Sequence, residues 1–251
     1  MPFVKATRAG SLLRLALFGP SGSGKTFSAL RIAHGLGGKI AAIDSERGRI
    51  RKYADRDVEP IFTFDVSELV ESKSIETYVN ELSAAQDAGY NVLIIDSLTH
   101  PWNDLREEVQ ALSETSRYRG NYWAAWSEGT PKQRAFVDAL LGFNGHIIAT
   151  MRSKTEWTTD MSSGSARPKR VGLTPEQGKG IEYEFDLLIE LDTMHNGTVI
   201  KDDTGKFQDK IIEKPDEAFG RELKAWLSTF GENEQKKGGE KEKPIRARRR
   251  K

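Results

Sequence analysis

Eight residues near the start of the chain, GPSGSGKT at positions 19–26, constrain the fold more than any other segment. They fit the pattern G-x-x-x-x-G-K-[ST] without a mismatch. In this pattern the glycines let the backbone curl, so that successive N–H groups and the N-terminus of the following helix face an anion. The lysine adds positive charge beside the outer phosphates. The segment therefore predicts a phosphate-binding loop that consists of Gly19, Pro20, Ser21, Gly22, Ser23, Gly24, Lys25 and Thr26.

The sequence on both sides of this loop predicts a strand and a helix. An apolar run from Leu12 to Phe18 ends at the first glycine of the loop and indicates a buried strand. After the loop, apolar residues recur at helical spacing until Gly37 and Gly38. Phosphate-binding loops of this kind join a strand to a helix, so the context agrees with the motif.

Two further apolar runs deliver acidic residues to the ends of predicted strands. Residues 40–43 precede Asp44 and Glu46, and residues 92–95 precede Asp96. Because ligands of parallel α/β sheets bind at the carboxyl ends of the strands, we expect these side chains to meet at one site. A carboxylate there can hold Mg²⁺ together with a hydroxyl group. Asp96 and Thr26 are therefore the predicted metal-binding residues.

Hydrolysis of a bound nucleotide also requires a group that orients water and accepts its proton. Glu46 is the candidate for this base, and Asp44 is a candidate helper. The alternative is that Glu46 only forms an ion pair with Arg47 or Arg49 at a surface turn. The predicted catalytic residues are Glu46, Lys25 and Asp96.

A fourth apolar run, residues 147–151, is followed abruptly by Arg152, Ser153 and Lys154. Thr150 lies near the end of this run, where a polar side chain can sense the γ-phosphate of a nucleotide. Residues 152–172 are rich in Ser, Gly and Thr, which predicts a long flexible loop.

Composition limits the class of protein and its compartment. The chain has no cysteine, which excludes disulfides and cysteine-ligated zinc. The first five residues lack the apolar core of a signal peptide, and no run of 18 apolar residues occurs. We therefore expect a cytoplasmic protein with no membrane partner.

The predicted organisation is one α/β domain over residues 1–231 and a disordered basic tail over residues 232–251. The tail contains nine Lys and Arg residues against four Glu, although the whole chain has a formal net charge of only +1. Such a tail is either a solubilising extension or an electrostatic tether to a polyanion.

Several segments resemble the RecA-like branch of the P-loop ATPases: AAIDSERG, VLIIDS and LTPEQGKGIEYEFDLLIEL. The segments LRLALFGPSGSGKTFSALRIA and IIDSLTHPW are more similar to small ATPases of phage origin, some of which are single-strand annealing recombinases. The resemblance covers about residues 3–230. It implies a RecA-like P-loop NTPase core, with a mostly parallel central sheet flanked by helices. It also implies ATP and Mg²⁺ as cofactors, with Glu46 at the position of the catalytic glutamate.

The same resemblance implies partners. These are single-stranded DNA that stimulates ATP hydrolysis, further copies of the chain in a ring or filament, and a single-strand-binding protein. RecA recombinases carry a glutamine sensor at the start of their second DNA-binding loop, whereas this chain has Thr150, Met151 and Arg152 there. Basic residues from a neighbouring subunit complete such sites, and the candidates here are Lys206, Lys210 and Lys214, with a solvated charged face as the alternative.

Two segments are candidates for contact with DNA. Residues 152–172 combine basic side chains with Trp157, which suits phosphate contact and base stacking. Trp123 and Trp126 lie close to arginines and could also stack bases, but their spacing favours the core or a subunit interface. The predicted DNA-binding residues are Arg152, Lys154, Arg167, Lys169 and Arg170.

The sequence leaves three functions open. The first is an Mg²⁺-dependent ATPase that acts on single-stranded DNA in recombination or annealing. The second is a nucleotide or small-molecule kinase with residues 152–172 as a lid, and the third is a nucleotide-gated assembly or packaging module. A glutamate after the second strand, combined with Asp96, favours hydrolysis over transfer to another acceptor.

Overall fold

The structure is a computed structural model that describes residues 10–55, 57–160 and 167–228. For residues 157–160 and 167–171 it describes the backbone alone. The tail predicted at residues 232–251 lies outside the described residues.

A nine-stranded sheet forms the centre of the fold, in the order β3-β2-β4-β5-β1-β7-β8-β9, with β6 paired to β5. The strands β3, β2, β4, β5, β1 and β7 run parallel to one another, β8 runs antiparallel to β7, and β9 runs antiparallel to β8. This arrangement confirms the predicted α/β class with a mostly parallel central sheet. The strands are β1 (Arg14–Gly19), β2 (Ile40–Asp44), β3 (Asp65–Glu68), β4 (Val92–Asp96), β5 (His146–Asp160), β6 (Arg167–Pro175), β7 (Leu187–Leu191), β8 (Gly197–Asp202) and β9 (Ile211–Ile212).

Helices cover both faces of this sheet. Residues of β1, β2 and β4 are buried throughout, as expected for central strands of a parallel sheet. One apolar core lies between the sheet and α2, α3 and α4, and a second lies between the sheet and α1 and α5. The helices are α1 (Lys25–Leu36), α2 (Ile75–Asp87), α3 (Thr99–Ser113), α4 (Tyr122–Gly142) and α5 (Glu217–Ser228), with 3₁₀ turns at Ile50–Tyr53 and Ile181–Glu184.

The prediction of a long flexible loop over residues 152–172 is wrong for residues 152–160 and 167–172, and residues 161–166 lie outside the described residues. β5 continues past its buried half to Asp160 and pairs antiparallel with β6, which begins at Arg167. The two polar segments are separated by a short connection and satisfy each other's backbone hydrogen-bonding groups, so they form a hairpin rather than a loop. The register shifts between Glu156 and Trp157, which marks a bulge.

The predicted tryptophan pair at the start of α4 separates into two environments. Trp126 is partly buried and stacks on Trp102, with ring centroids 5.4 Å apart. Trp123 is 83% exposed. The i, i+3 spacing predicts a shared face, but only Trp126 packs on the core, and Trp123 lies on the surface. In the part of the chain that the structure describes, no helix is both long enough and apolar enough to cross a membrane.

A close contact between α1 and α5 fixes the helix that follows the phosphate-binding loop. A Cβ atom added at Gly35 would lie 2.3 Å from the carbonyl oxygen of Glu217 and 2.7 Å from the Cα of Gly220. The guanidinium of Arg31 also donates to both carboxylate oxygens of Glu217. Only glycine at position 35 permits this helix spacing.

We expect Gly35→Ala to lower the free energy of unfolding by about 2 kcal/mol, because the added methyl group must push two backbones apart. The matched control is Gly142→Ala at the end of α4, where an added Cβ meets nothing within 4 Å. That control should be neutral or stabilising by up to about 1 kcal/mol. Urea unfolding measures both, and equal effects at the two positions would contradict the packing argument.

Candidate nucleotide-binding site

The predicted phosphate-binding loop connects β1 to α1. Gly22 and Gly24 have φ values of 81° and 86°, which lie in the left-handed region that favours glycine. Gly24 is also the N-cap of α1, and because glycine has no side chain, the first turn of this helix has no side-chain cap. The N–H groups in the first turn of α1 are therefore available to an anion at the helix N-terminus.

Lys25 lies at the first position of α1 with its ammonium group against the loop. Its Nζ donates to the carbonyl oxygens of Gly19 at 3.0 Å and Pro20 at 2.8 Å. Burial lowers the pKa of Lys25, and the negative charges of Asp96 and Glu46 oppose this shift. The loop thus holds a half-buried cation where the phosphates are expected.

Asp96, at the end of β4, is hydrogen-bonded from two sides. Thr26 Oγ1 donates to its Oδ2 at 2.7 Å, and Thr150 Oγ1 donates to its Oδ1 at 2.5 Å. The carboxylate is only 3% exposed, and burial raises its pKa while the two hydroxyl groups oppose the rise. Thr150 is fully buried behind Asp96, so it can reach a nucleotide only through that carboxylate.

A hydroxyl and a carboxylate side by side are the oxygen donors that Mg²⁺ prefers. The described residues contain no group of three or more acidic, histidine or cysteine side chains that could hold a metal ion by themselves. At the pair of Thr26 and Asp96, these two side chains would hold Mg²⁺, and phosphate oxygens and water would complete its coordination.

Glu46 follows β2 and has cationic neighbours on several elements. Its Oε1 accepts a hydrogen bond from Arg152 at 2.7 Å and lies 3.6 Å from His100 Nε2, and its Oε2 lies 3.8 Å from Arg49. Burial raises the pKa of Glu46, but the hydrogen bond and charge of Arg152, with the charge of Arg49 and that of His100 when it is protonated, produce a net lowering. The alternative, in which Glu46 only forms an ion pair at a surface turn, accounts for the contact with Arg49. It does not account for the shorter contact with Arg152.

Asp44 has a different position from the one expected of a helper. It is fully buried, and its carboxylate accepts from the backbone N–H groups of Glu46 at 2.6 Å and Ile50 at 3.3 Å. These bonds shape the turn that presents Glu46. Asp44 thus positions the candidate base through the backbone.

A second contact network lies behind Glu46. Ser45 Oγ is 2.6 Å from His100 Nδ1 and accepts from the backbone N–H of Ser97 at 3.0 Å. Burial, followed by the charge of Lys73, lowers the pKa of His100, which favours the neutral ring. Ser45 is fully buried, so it orients the histidine and is not accessible as a nucleophile.

Lys25, Thr26, Glu46 and Asp96 line one cleft of about 540 Å³, a volume typical of small-molecule sites. The phosphate-binding loop forms one wall, and Glu46, Asp96 and Arg152 line the cleft together with Ser153 and Glu176. Sequence reasoning missed the roles of His100 and Glu176 and the pairing of Arg152 with Glu46. Arg152 and Glu46 are 106 residues apart in the chain, and no local sequence pattern predicts a contact over that separation.

The predicted DNA-binding and subunit-bridging residues are distributed differently. Arg152 lies at the cleft and Lys154 is exposed on β5. The backbones of Arg167, Lys169 and Arg170 lie in β6, but their side chains fall outside the described part of the structure.

Among the described residues, those that line the cleft do not include the three late lysines. Lys206 Nζ is 2.7 Å from Glu222 of α5 and lies over the ring of Phe207 at 5.2 Å. Lys210 approaches the same ring at 5.6 Å. Lys214, which follows β9, has a φ of 45°. Their assignment as bridges between subunits stays a prediction.

Comparison with known protein families gives the family of the chain. A family model described as an AAA domain matches residues 11–219, which spans all the cleft-lining residues named above. No curated protein matches the sequence.

We expect Lys25→Ala to weaken ATP binding by at least roughly tenfold, because it removes a charge-assisted contact to the outer phosphates. The control is Lys39→Ala, which removes an exposed lysine just beyond the other end of α1. Isothermal titration calorimetry measures both affinities. An unchanged affinity in Lys25→Ala would place the phosphates elsewhere.

Proposed function

The chain belongs to the AAA domain family, and on this premise we propose that it is an Mg²⁺-dependent ATPase that binds single-stranded DNA. The family match supports a P-loop ATPase-type domain and, with it, nucleotide hydrolysis. ATP as the nucleotide, DNA as the effector and assembly of several copies are the finer parts of the proposal.

The observation that carries the proposal is that four groups line one cleft: Lys25, the hydrogen-bonded pair Thr26 and Asp96, and Glu46. Lys25 and the N-terminus of α1 bind the phosphates. Mg²⁺, when bound, neutralises charge on the β- and γ-phosphate oxygens. Thr26 and Asp96 are the side chains that would hold it.

In the hydrolysis step, the oxygen of a water molecule forms a bond to the γ-phosphorus. The bond between this phosphorus and the β–γ bridging oxygen breaks, so that ADP leaves with that oxygen. Glu46 accepts the proton of the attacking water. Asp44 keeps Glu46 in place through the backbone of the turn, and His100 Nε2 lies 3.6 Å from its carboxylate.

Support for a nucleic-acid partner comes from the β5–β6 hairpin. Its base borders the cleft at Arg152 and Ser153, and its strands carry Lys154, Lys169 and Arg170. Basic residues along an extended hairpin suit a phosphate backbone. Exposed Trp123 supports the proposal of a homo-oligomer, because tryptophan is enriched at protein interfaces.

Action in phage-type recombination or strand annealing is the most specific part of the proposal. It rests on the resemblance of the quoted segments to small RecA-core recombinases. Measuring phosphate release with and without single-stranded DNA tests it: stimulation by DNA is expected. Transfer of phosphate to a small acceptor would instead favour a kinase, and binding without turnover would favour a nucleotide-gated assembly module.

We expect Glu46→Gln to keep ATP bound and to slow hydrolysis by about 10²-fold or more, because it removes the base and leaves the phosphate loop intact. The control is Glu71→Gln, an exposed residue outside the cleft, which should turn over at the wild-type rate. Single-turnover phosphate release measures both variants. A rate within a few-fold of wild type would mean that another group accepts the proton.

Deletion of residues 232–251 should leave basal ATP hydrolysis unchanged, because every proposed catalytic group precedes the tail. It should weaken DNA binding at low salt and reduce the slope of log affinity against log salt by roughly 2 to 3 units, if three or four phosphate contacts are lost. A tail of equal length with its basic residues changed to Gln is the matched control and should behave like the deletion. An unchanged slope would leave only the solubilising role.

A further inference from the structure

A second pocket, outside the nucleotide cleft, lies between α2, α3 and α4. Its volume is about 330 Å³, and the apolar side chains that line it are Ile75, Val79, Leu105 and Ala135. Ile75 and Leu105 belong to the apolar core, whereas Ala135 is exposed. The pocket therefore opens from the surface of the helices onto the apolar core beneath them.

The rim of this pocket is acidic. Glu76, Asp104 and Glu108 contribute carboxylates, and Lys132 is the only basic side chain among the described residues that line it. Lys132 forms an ion pair with Glu108. The ion pairs of the described residues include neither Glu76 nor Asp104. Two carboxylates thus border an apolar pocket without a cationic partner.

The charges around Asp104 favour a further cation at this rim. Burial raises the pKa of Asp104, the charges of Glu107 and Glu108 add to the rise, and the charge of Lys132 opposes it. A positive charge beside crowded carboxylates favours their ionised form. An occupant that suits the pocket therefore combines one apolar side chain with positive charges close to it.

The chain itself contains a segment of this chemistry, outside the described residues. Ile245 is the only large apolar residue in the basic tail, residues 232–251, and Lys243, Arg246 and Arg248 lie close to it in the sequence. The tail contains nine Lys and Arg residues against four Glu, whereas the whole chain has a formal net charge of only +1. The residues before the tail are therefore acidic overall, and the tail is complementary to them.

The tail is long enough to reach the pocket of its own chain. Burial lowers the pKa of His146 at the start of β5, and the charges of Arg14 and Lys224 add to this lowering, so Lys224 of α5 lies near the point where the chain leaves α4. Ala135 precedes the end of α4 at Gly142 by seven residues, or about 10 Å along the helix. The 16 residues between Ser228, where α5 ends, and Ile245 can span about 50 Å when extended.

We propose that the basic tail docks on the pocket between α2, α3 and α4 of the same chain, with Ile245 among the apolar side chains and the basic residues beside it on the acidic rim. Because the tail is covalently attached, its effective concentration at the pocket is on the order of millimolar, so a weak site is enough for occupancy. Basic side chains held at the rim are not available to a polyanion. The rim and a polyanion therefore compete for the tail. This inference depends neither on the nucleotide site nor on hydrolysis.

Site-specific labelling of the whole chain tests the proposal. The chain has no cysteine, so Ala247→Cys provides a single attachment point for a nitroxide spin label. We expect the label to broaden the methyl NMR signals of Ile75, Val79 and Leu105 more than those of Ile212 on β9. Raising the ionic strength from about 0.1 M to about 1 M shortens the Debye length from about 10 Å to about 3 Å and should reduce this broadening.

Variants on each side of the contact separate docking from random approach of the tail. Asp104→Asn combined with Glu108→Gln should reduce the selective broadening roughly threefold, because two charge contacts are lost. Ile245→Ser should also reduce it, and this change does not touch the folded domain. The matched control is Asp87→Asn combined with Glu213→Gln, which removes two acidic charges from exposed positions outside the pocket and should retain the broadening.

The chemical shifts of the remaining methyl groups show whether each variant is folded. Equal broadening at the pocket and at Ile212 would overturn the proposal, and so would selective broadening that persists in both the rim variant and Ile245→Ser. A mixture of isotope-labelled chains without the nitroxide and unlabelled chains with it tests the alternative occupant, the tail of a second copy. Selective broadening in that mixture would overturn docking within one chain.

Discussion

The buried carboxylate of Asp96 is the group on which the rest of the site depends. It accepts hydrogen bonds from Thr26 at the start of α1 and from Thr150 on β5, and it belongs to β4. A carboxylate this deeply buried is costly unless its oxygens are bonded, so the three elements are held in one arrangement. Thr26 therefore has a fixed position beside Asp96, and the helix N-terminus behind it is fixed with respect to the strand ends.

Strand register extends this constraint across the sheet. Asp44 of β2 pairs with Asp96 of β4, and Asp96 pairs with Thr150 of β5. Two residues further along β5, Arg152 lies opposite Gly19 of β1. Because these strands are parallel, their carboxyl ends lie at one edge of the sheet, where ligands of such folds bind. A shift of one residue in any pairing would turn the side chains to the opposite face.

The central strands and the phosphate-binding loop were predictable from the sequence because each has a local signal. The apolar runs ending at Gly19, Asp44 and Asp96 became β1, β2 and β4 with small changes at the boundaries. The apolar residues within 61–66 are also typical of a strand, but only residues 65 and 66 of this stretch form one. The strand there is β3 at Asp65–Glu68, and Phe62 instead forms a single bridge with Ala54.

The hairpin and the contacts of Glu46 were not predictable, because they depend on partners distant in sequence. Residues 152–160 are mostly polar and contain three threonines, which is compatible with a strand, but their partner is another mostly polar segment with no apolar stripe. Likewise, Arg49 lies in the same turn as Glu46, yet the contact of Glu46 with Arg152 is shorter than its contact with Arg49. Strand pairing determines this partner, because the register of β5 with β1 places Arg152 beside the phosphate-binding loop. The Arg49 side chain is 61% exposed.

The cleft and the β5–β6 hairpin share residues. A ligand on the hairpin and a nucleotide in the cleft therefore need no long chain of intervening residues to affect each other. Arg152 and Ser153 begin the outer half of β5, Glu176 follows β6 directly, and all three line the cleft. β5 extends eight residues beyond Arg152, or about 26 Å at the rise of an extended strand. A polyanion on the outer hairpin would thus act on strands whose bases already border the phosphate site. The hydrogen bond between the Glu176 N–H and the Arg152 carbonyl joins those two bases at 2.7 Å. Any coupling between the two ligands would therefore pass through these few side chains at the base of the hairpin.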